Sequence, residues 1–396
     1  MRNLINEEDW SIISSYFPPR WQWQVKKTGA VQRMRGVKTY EKLFRLLMLH
    51  ISGGLSLTQT CVRARTLGIA KITSTALHKR LCCAQPWFEW LCAWFAGQRG
   101  AGGFTQGALA GRRMLAVDGS DIREPGAKGS SWRLHYALEL PRLCCAHAAF
   151  TTHKQGESLK HFPIREGDVV MADRAYAKRG QLAWLIGQKA DAIVRMSPSH
   201  FPVGTNGGEA DESDLPFDWL GHLRALKGHK PGEWTVRFSH EGQSHTVRVC
   251  AVRKSVAAQR KAIREIEKEA RKKKRAVKPG TLEYAKYVMV LTTLPADVLG
   301  TREVLETYRG RWQVELAFKR LKSLIECGSV PKSDPCTALA WMQGKLLEAL
   351  LVEKLLEEAG VFSPWGHRMG GEPALADLQG CARDGAARTG AGVKRT

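Results

Sequence analysis

Tyr308-Arg-Gly-Arg-Trp-Gln-Val-Glu-Leu-Ala-Phe-Lys-Arg-Leu-Lys322 is the stretch on which the reading of this chain turns. Its residues are mostly good helix formers. At about 100° per residue, Tyr308, Arg311, Glu315 and Lys322 fall within an arc of roughly 60°. One helix face thus carries a carboxylate, two cations and a phenol. A solvated Arg–Glu pair four residues apart would account for part of this pattern. It would not account for Trp312, Leu316 and Phe318 beside it, which predict a helix packed against a core.

Upstream of this helix the period shortens. Met114–Val117, Trp132–Leu138, Leu143–Phe150 and Val169–Ala172 are apolar runs suited to strands. Arg179–Gln188 follows as a helix and Ala192–Met196 as a fifth strand, which together describe a mixed α/β core. Asp118 follows the first run and Asp173 the fourth, so both carboxylates are expected at strand ends, opening into the crevice where α/β sheets bind ligands. Asp121 lies further into its loop. Asp168 precedes its strand and belongs at the opposite end of the sheet.

Composition changes mark further segments. Residues 1–105 read as a helical unit, ending in the Gly-rich linker Gly100–Gly103; the core occupies 106–200 and resumes over 285–362. Between them, 201–284 reads as a β-rich insertion. Its features are Gly204–Gly208, a hairpin turning at Glu241-Gly242, and the charged stretch Gln259–Lys278 with Arg271–Arg275. Residues 363–396, rich in Gly, Ala and Arg, read as a mobile tail. Within the first unit, Glu41–His50 is a helix, and Ser56 caps the next one. With Thr73–Arg80 this forms either a helix-turn-helix offering Ser74, Thr75, His78, Lys79 and Arg80 to DNA, or an ordinary helical hairpin; the two readings are level.

Over 396 residues, 61 Lys plus Arg oppose 38 Asp plus Glu, leaving a net charge of +23. That excess points to a polyanionic partner, above all nucleic acid. No apolar run approaches the 18 residues of a membrane span, and Met1–Trp10 has no secretory apolar segment, so a cytoplasmic protein is expected. Ten cysteines occur without any CxxC spacing, which speaks against a compact zinc module and for reduced thiols.

Three carboxylates converging from two strands and a helix are suited to two hard divalent ions, with Arg311 gripping phosphate by a fork and Lys322 as a point charge. The set Tyr308, Arg311, Glu315 and Lys322, with Val117-Asp-Gly-Ser120 and Gly167–Tyr176, resembles the bacterial DDE transposases of the insertion-sequence-four family and meets that family's Tyr-(2)-Arg-(3)-Glu-(6)-Lys signature in full. The resemblance spans roughly residues 110–350. It implies a ribonuclease H-like core with a β-rich insertion before the glutamate. Asp118, Asp173 and Glu315 would be the catalytic metal ligands, for two Mg²⁺ (or Mn²⁺) ions. Tyr308, Arg311, Lys322, Arg174 and Lys319 would bind DNA, and Trp219 or Trp234 would stack on a flipped base. Implied partners are the element's terminal repeats, target DNA and a second copy of the chain in a synaptic complex. A transposase-derived DNA-binding protein without catalysis, and a metal nuclease without strand transfer, are the alternative readings.

Overall fold

The computed structural model describes residues 7–97, 107–126, 129, 131, 132–140, 142–198, 201, 217–331 and 334–358. The expected linker at Gly100–Gly103, the turn at Gly204–Gly208 and the tail from 363 all lie outside these. Five helices come first: α1 (Glu7–Ser15), α2 (Trp21–Lys27), α3 (Tyr40–Ile51), α4 (Leu57–Thr66) and α5 (Ser74–Gly97). Then come strands β1 (Met114–Ile122), β2 (Trp132–Leu140), β3 (Cys144–Thr152) and β4 (Val169–Ala172). They are followed by α6 (Arg179–Gly187), β5 (Asp191–Arg195), α7 (Trp219–Arg224) and the hairpin β6 (Gly232–His240) and β7 (Gln243–Arg253). The chain continues through α8 (Val256–Lys272), α9 (Pro279–Tyr284) and β8 (Tyr287–Thr292) to α10 (Thr301–Arg309), α11 (Trp312–Ser323) and α12 (Pro335–Glu358).

All eight strands form one sheet in the order β3-β2-β1-β4-β5-β8-β7-β6. β1, β4 and β5 run parallel, and every other neighbouring pair is antiparallel. Met114–Val117 of β1, all of β4 and Ala192–Val194 of β5 are apolar because both faces of the sheet are covered there. Met114, Ala116, Val169, Met171 and Ile193 point to one core, whereas Leu115, Val117, Val170, Ala172 and Val194 point to the other. The first core also contains Phe44, Leu77, Trp87, Phe88 and, from the far end of the described chain, Leu346 and Leu347. The N-terminal helices therefore share a core with the sheet instead of closing a separate one. α12 packs along α5.

The hairpin within 201–284 is zipped to β8 from Arg248↔Thr292 to Arg253↔Tyr287. It widens the core sheet, and with α7, α8 and α9 it makes up most of the described part of the segment expected as a β-rich insertion. The turn is as expected: Glu241 and Gly242 both take positive φ, 50° and 76°, which a two-residue type I′ connection requires. Ser56 also caps α4 in a reciprocal box with Gln59. The connection from Leu67 to Thr73 is longer than the three or four residues of a helix-turn-helix, and α5 is mostly a core helix, so the helical-hairpin reading fits better.

Arg248 ties the hairpin to the start of α10. It donates to Glu233 from Nε (2.9 Å) and Nη2 (2.6 Å), and from Nη1 to the carbonyls of Leu294 and Leu299 (2.7 and 3.0 Å). Glu233 Oε2 accepts a further bond from Thr301 Oγ1 at 2.5 Å. Arg248→Met should leave Glu233 without its guanidinium and cost about 3 kcal/mol in urea unfolding. Lys189→Met removes only the exposed pair to Glu166 and should cost under about 0.5 kcal/mol.

Candidate active site

β1 pairs with β4 only from Met114↔Val169 to Val117↔Ala172. Past that point β4 stops and the chain turns into a short 3-10 helix over Arg174–Tyr176, capped by Asp173, whose carboxylate accepts from Ala175 N at 2.8 Å. β1 does not stop there. It runs on to Ile122 against β2, with Asp118 opposite Tyr136, so Asp118 sits in mid-strand and not at the strand end expected from sequence. The two aspartates nevertheless take the first positions beyond the last parallel pair, in the crevice at the carboxyl ends of parallel strands.

Asp118 lies on the face of the sheet that α11 covers. The stretch Tyr308–Lys322 is two helices, not one continuous helix. α10 ends at Arg309, and α11 begins at Trp312. The break falls at Gly310, where a Cβ would crowd the Thr307 carbonyl oxygen at 3.1 Å while meeting Leu140 and Met171 of the sheet only at ordinary contact distance. Arg311 opens the new helix and gathers the site. Its Nε donates to Tyr308 Oη at 3.1 Å, its Nη2 pairs with Glu315, and its Nη1 lies 3.6 Å from Asp118 Oδ2. Tyr308, Arg311, Glu315 and Asp118 are thus one connected group. Lys319 and Lys322 follow on α11 as exposed cations, the stem of Lys322 lying against Gly328. Phe318 and Leu316 pack as expected, but Trp312 is 44% exposed.

Burial pushes the Asp118 carboxyl up to about 6, against the pull of the Gly119 N–H and of Arg311, and with a further rise from Asp173 and Glu157. Glu157 was not singled out by any sequence motif. Its side chain lies over Gly119, where a Cβ would stand 3.1 Å from Glu157 Cγ. Burial pushes its carboxyl above the ordinary range too, offset first by Arg133. Beneath this group is Tyr176, fully buried, with its hydroxyl lacking a hydrogen-bond partner and within electrostatic reach of Glu157, Asp118 and Asp173. Two cations that no motif singled out, Arg195 and Lys254, join the expected Arg174. Arg195 at the end of β5 and the exposed Arg174 both bear on Lys254, which burial lowers to about 8, and Arg195 bears on Tyr308.

The remaining sequence candidates are accounted for by packing. Asp168 is buried at the far end of β4 and bound bidentately by Arg113 (2.9 and 2.5 Å), and Asp121 pairs with Arg133 at 3.0 Å. Trp219 is 4% exposed, packed with Phe217 (4.4 Å between ring centroids) and Trp234 (6.0 Å). No ring face of Trp219 is open to a base, because burial has filled that position with the core of the sheet's second face. Trp234 is half-buried in the same cluster. Arg271–Arg275 is an exposed run closing α8.

Because Asp118 titrates higher in the folded chain than in the unfolded one, the fold holds an extra proton in between. Stability therefore falls as pH rises from the ordinary carboxylate range through about 6. Asp118→Asn should raise unfolding stability by about 2–3 kcal/mol at neutral pH in metal-free buffer and by little below the ordinary carboxylate range. Calorimetry across that interval would sink this account if the gain did not change with pH.

The family model for the transposase DDE domain matches residues 110–335. That interval contains β1 through α11 and every residue of the group around Arg311. The putative transposase InsL of insertion sequence element IS186A from Escherichia coli K12 is 32% identical over 370 residues, covering 91% of this chain and 97% of that protein. The transposase of insertion sequence element IS421 from Escherichia coli is 32% identical over 371 residues, with the same coverage. By family model and by relatives alike, the chain belongs to the DDE transposases.

Proposed function

We propose that this chain is the transposase of an insertion sequence of the insertion-sequence-four type, cutting the ends of its element and joining them to target DNA. The observation that carries the reading is the position of Asp118 and Asp173 just beyond the last parallel β1–β4 pair, with Arg311 linking Asp118 to Glu315. The antiparallel β3-β2-β1 set continued in parallel by β4 and β5 is read as a ribonuclease H-like core. Tyr308, Arg311, Glu315 and Lys322 are read as the family's signature residues.

The donor set fits hard divalent ions. Asp173 and Glu157 both raise the cost of charging Asp118, and Asp173 raises that of Glu157; the Tyr176 hydroxyl beneath them has no hydrogen-bond partner among the described residues. Crowded carboxylate oxygens suit Mg²⁺ or Mn²⁺. Asp118, Asp173 and Glu315 would hold such ions, which when bound supply activation of a water or 3′-hydroxyl and stabilisation of the leaving oxygen. The rest falls to the chain itself. Arg311 neutralises Asp118 and Glu315 and presents a guanidinium to a phosphate. Tyr308 fixes the Arg311 fork through its hydroxyl. Arg174, Arg195 and Lys254, with Lys319 and Lys322, give the approaching DNA strand a cationic bed, in keeping with the net charge of +23. Two ends must be held for joining, so the working form is a dimer on DNA. Among the described residues no helix is long and apolar enough to cross a membrane, which fits action on DNA in the cytoplasm.

Asp118→Asn, Asp173→Asn and Glu315→Gln should each abolish Mg²⁺-dependent nicking and strand transfer on the element's own ends, a loss of more than about 10³-fold. Gel-shift binding of those ends should persist in all three. Nicking that survives any one substitution would refute the triad, and wild-type nicking without joining would leave a nuclease only. For Arg311→Lys, which keeps the charge but loses the fork, at least about tenfold slower cleavage is expected in single-turnover assays.

A further inference from the structure

We propose that His78, Cys82, Asp334 and Cys336 form a zinc site that staples α5 to the beginning of α12. His78 and Cys82 are four residues apart on α5, so they share one face. Cys82 Sγ lies 3.9 Å from His78 Nδ1 and 4.0 Å from Asp334 Oδ2. All three donor atoms lie within 4.8 Å of one another. Around a zinc ion with ordinary Zn–S and Zn–N bonds, a tetrahedral edge is roughly 3.6 Å. The two distances from Cys82 Sγ therefore stand a few tenths of an ångström outside the geometry a bound ion would impose, and the third edge, between His78 and Asp334, is at most 4.8 Å. Cys336, two residues beyond Asp334 in the first turn of α12, is within electrostatic reach of Cys82 but stands outside that three-donor group, so its side chain would swing in to become the fourth ligand. Both thiols are free.

The chemistry of the set selects the metal. Imidazole and thiolate are borderline-soft donors that take zinc in preference to Mg²⁺ or Ca²⁺, and two thiolates, one carboxylate and one imidazole complete a closed four-coordinate site of the structural kind. Asp334 is already oriented for it. Its Oδ2 accepts from Thr337 N at 2.9 Å and Thr337 Oγ1 at 3.0 Å, the sort of outer bond that aims a ligand. On binding, the thiols of Cys82 and Cys336 release their protons to solvent and no electrons move. Cys82 and Asp334 stand 252 residues apart in sequence, so such an ion would lock together two helices that close only late in the chain. The absence of CxxC spacing excludes a compact zinc module but has no bearing on a site assembled across that distance.

The test uses the full-length chain. After equilibration with zinc and removal of loose metal on a chelating resin, elemental analysis should find one zinc per chain. Replacement by Co²⁺ should give the thiolate-to-cobalt charge-transfer band, which a carboxylate site does not produce, at an intensity for two thiolates. Cys82→Ser and Cys336→Ser should each weaken zinc binding by more than the roughly 10–100-fold that an outer-shell substitution costs, while Cys83→Ser should bind zinc as the parent does. Chelation should lower the thermal midpoint of the parent and leave that of Cys82→Ser unmoved. Absence of the cobalt band from the parent chain overturns the proposal even if the serine variants fail to fold. So does zinc retained by Cys82→Ser, or a Cys82–Cys336 disulfide recovered under reducing purification.

Discussion

The register of β1 against β4 is the constraint on which the site depends. Four backbone pairs, from Met114↔Val169 to Val117↔Ala172, fix where the parallel ladder ends. The next residue on each strand is an aspartate. A slip of one residue would send Asp118 to the other face of the sheet, away from α11, and would turn Met114 and Ala116 out of their core. Burial on both faces makes such a slip costly, because Leu115 and Val117 fill the second core as tightly as their neighbours fill the first. The same apolar packing that stabilises the centre of the sheet thereby positions two like charges side by side.

Two like charges in a half-buried crevice are a cost, and the rest of the site follows from how it is met. Arg311 meets part of it from the helix side, touching Asp118 and Glu315 together. It does so from the N-cap position of α11, one residue past the break at Gly310. Arg248, by binding the carbonyls of Leu294 and Leu299 ahead of α10, fixes the other end of that helix. The strand side has less compensation: Asp173 and Glu157 both raise Asp118, and the Tyr176 hydroxyl has no partner. The imbalance is local, in a chain with a large excess of positive charge.

Much of this was legible in the sequence wherever local chemistry decides structure. Val169–Ala172 is a strand with the bounds its apolar run predicts, the Ser56 cap forms, and Glu241-Gly242 makes the hairpin turn. What escaped was set by distant partners. Gly119, Ser120 and Asp121 are poor strand residues, and β1 continues through them only because Trp132–Tyr136 of β2 pair with them. The helix arithmetic over Tyr308–Lys322 brought the right side chains together although Gly310 interrupts the helix, since Arg311 still follows Tyr308 by three residues through a tight turn. Glu157 had no signature at all, because nothing in Gly156-Glu-Ser158 records that the β3–β4 connection folds back over Gly119.

The two clusters of potential ligands differ in a way that bears on how one chain could keep two metals apart. Around Asp118 the donors are carboxylate oxygens, hard and strongly hydrated, and they are partly neutralised by Arg311. At the α5–α12 junction the donors include sulfur and imidazole nitrogen. Zinc outcompetes magnesium at any nitrogen or sulfur site, whereas magnesium reaches carboxylates by abundance and by tolerance of retained water. A soft site that fills first would remove zinc from competition for the aspartates. It would also leave the hard site to an ion that dehydrates reluctantly and shares its coordination sphere with a phosphate, as phosphoryl transfer on DNA requires.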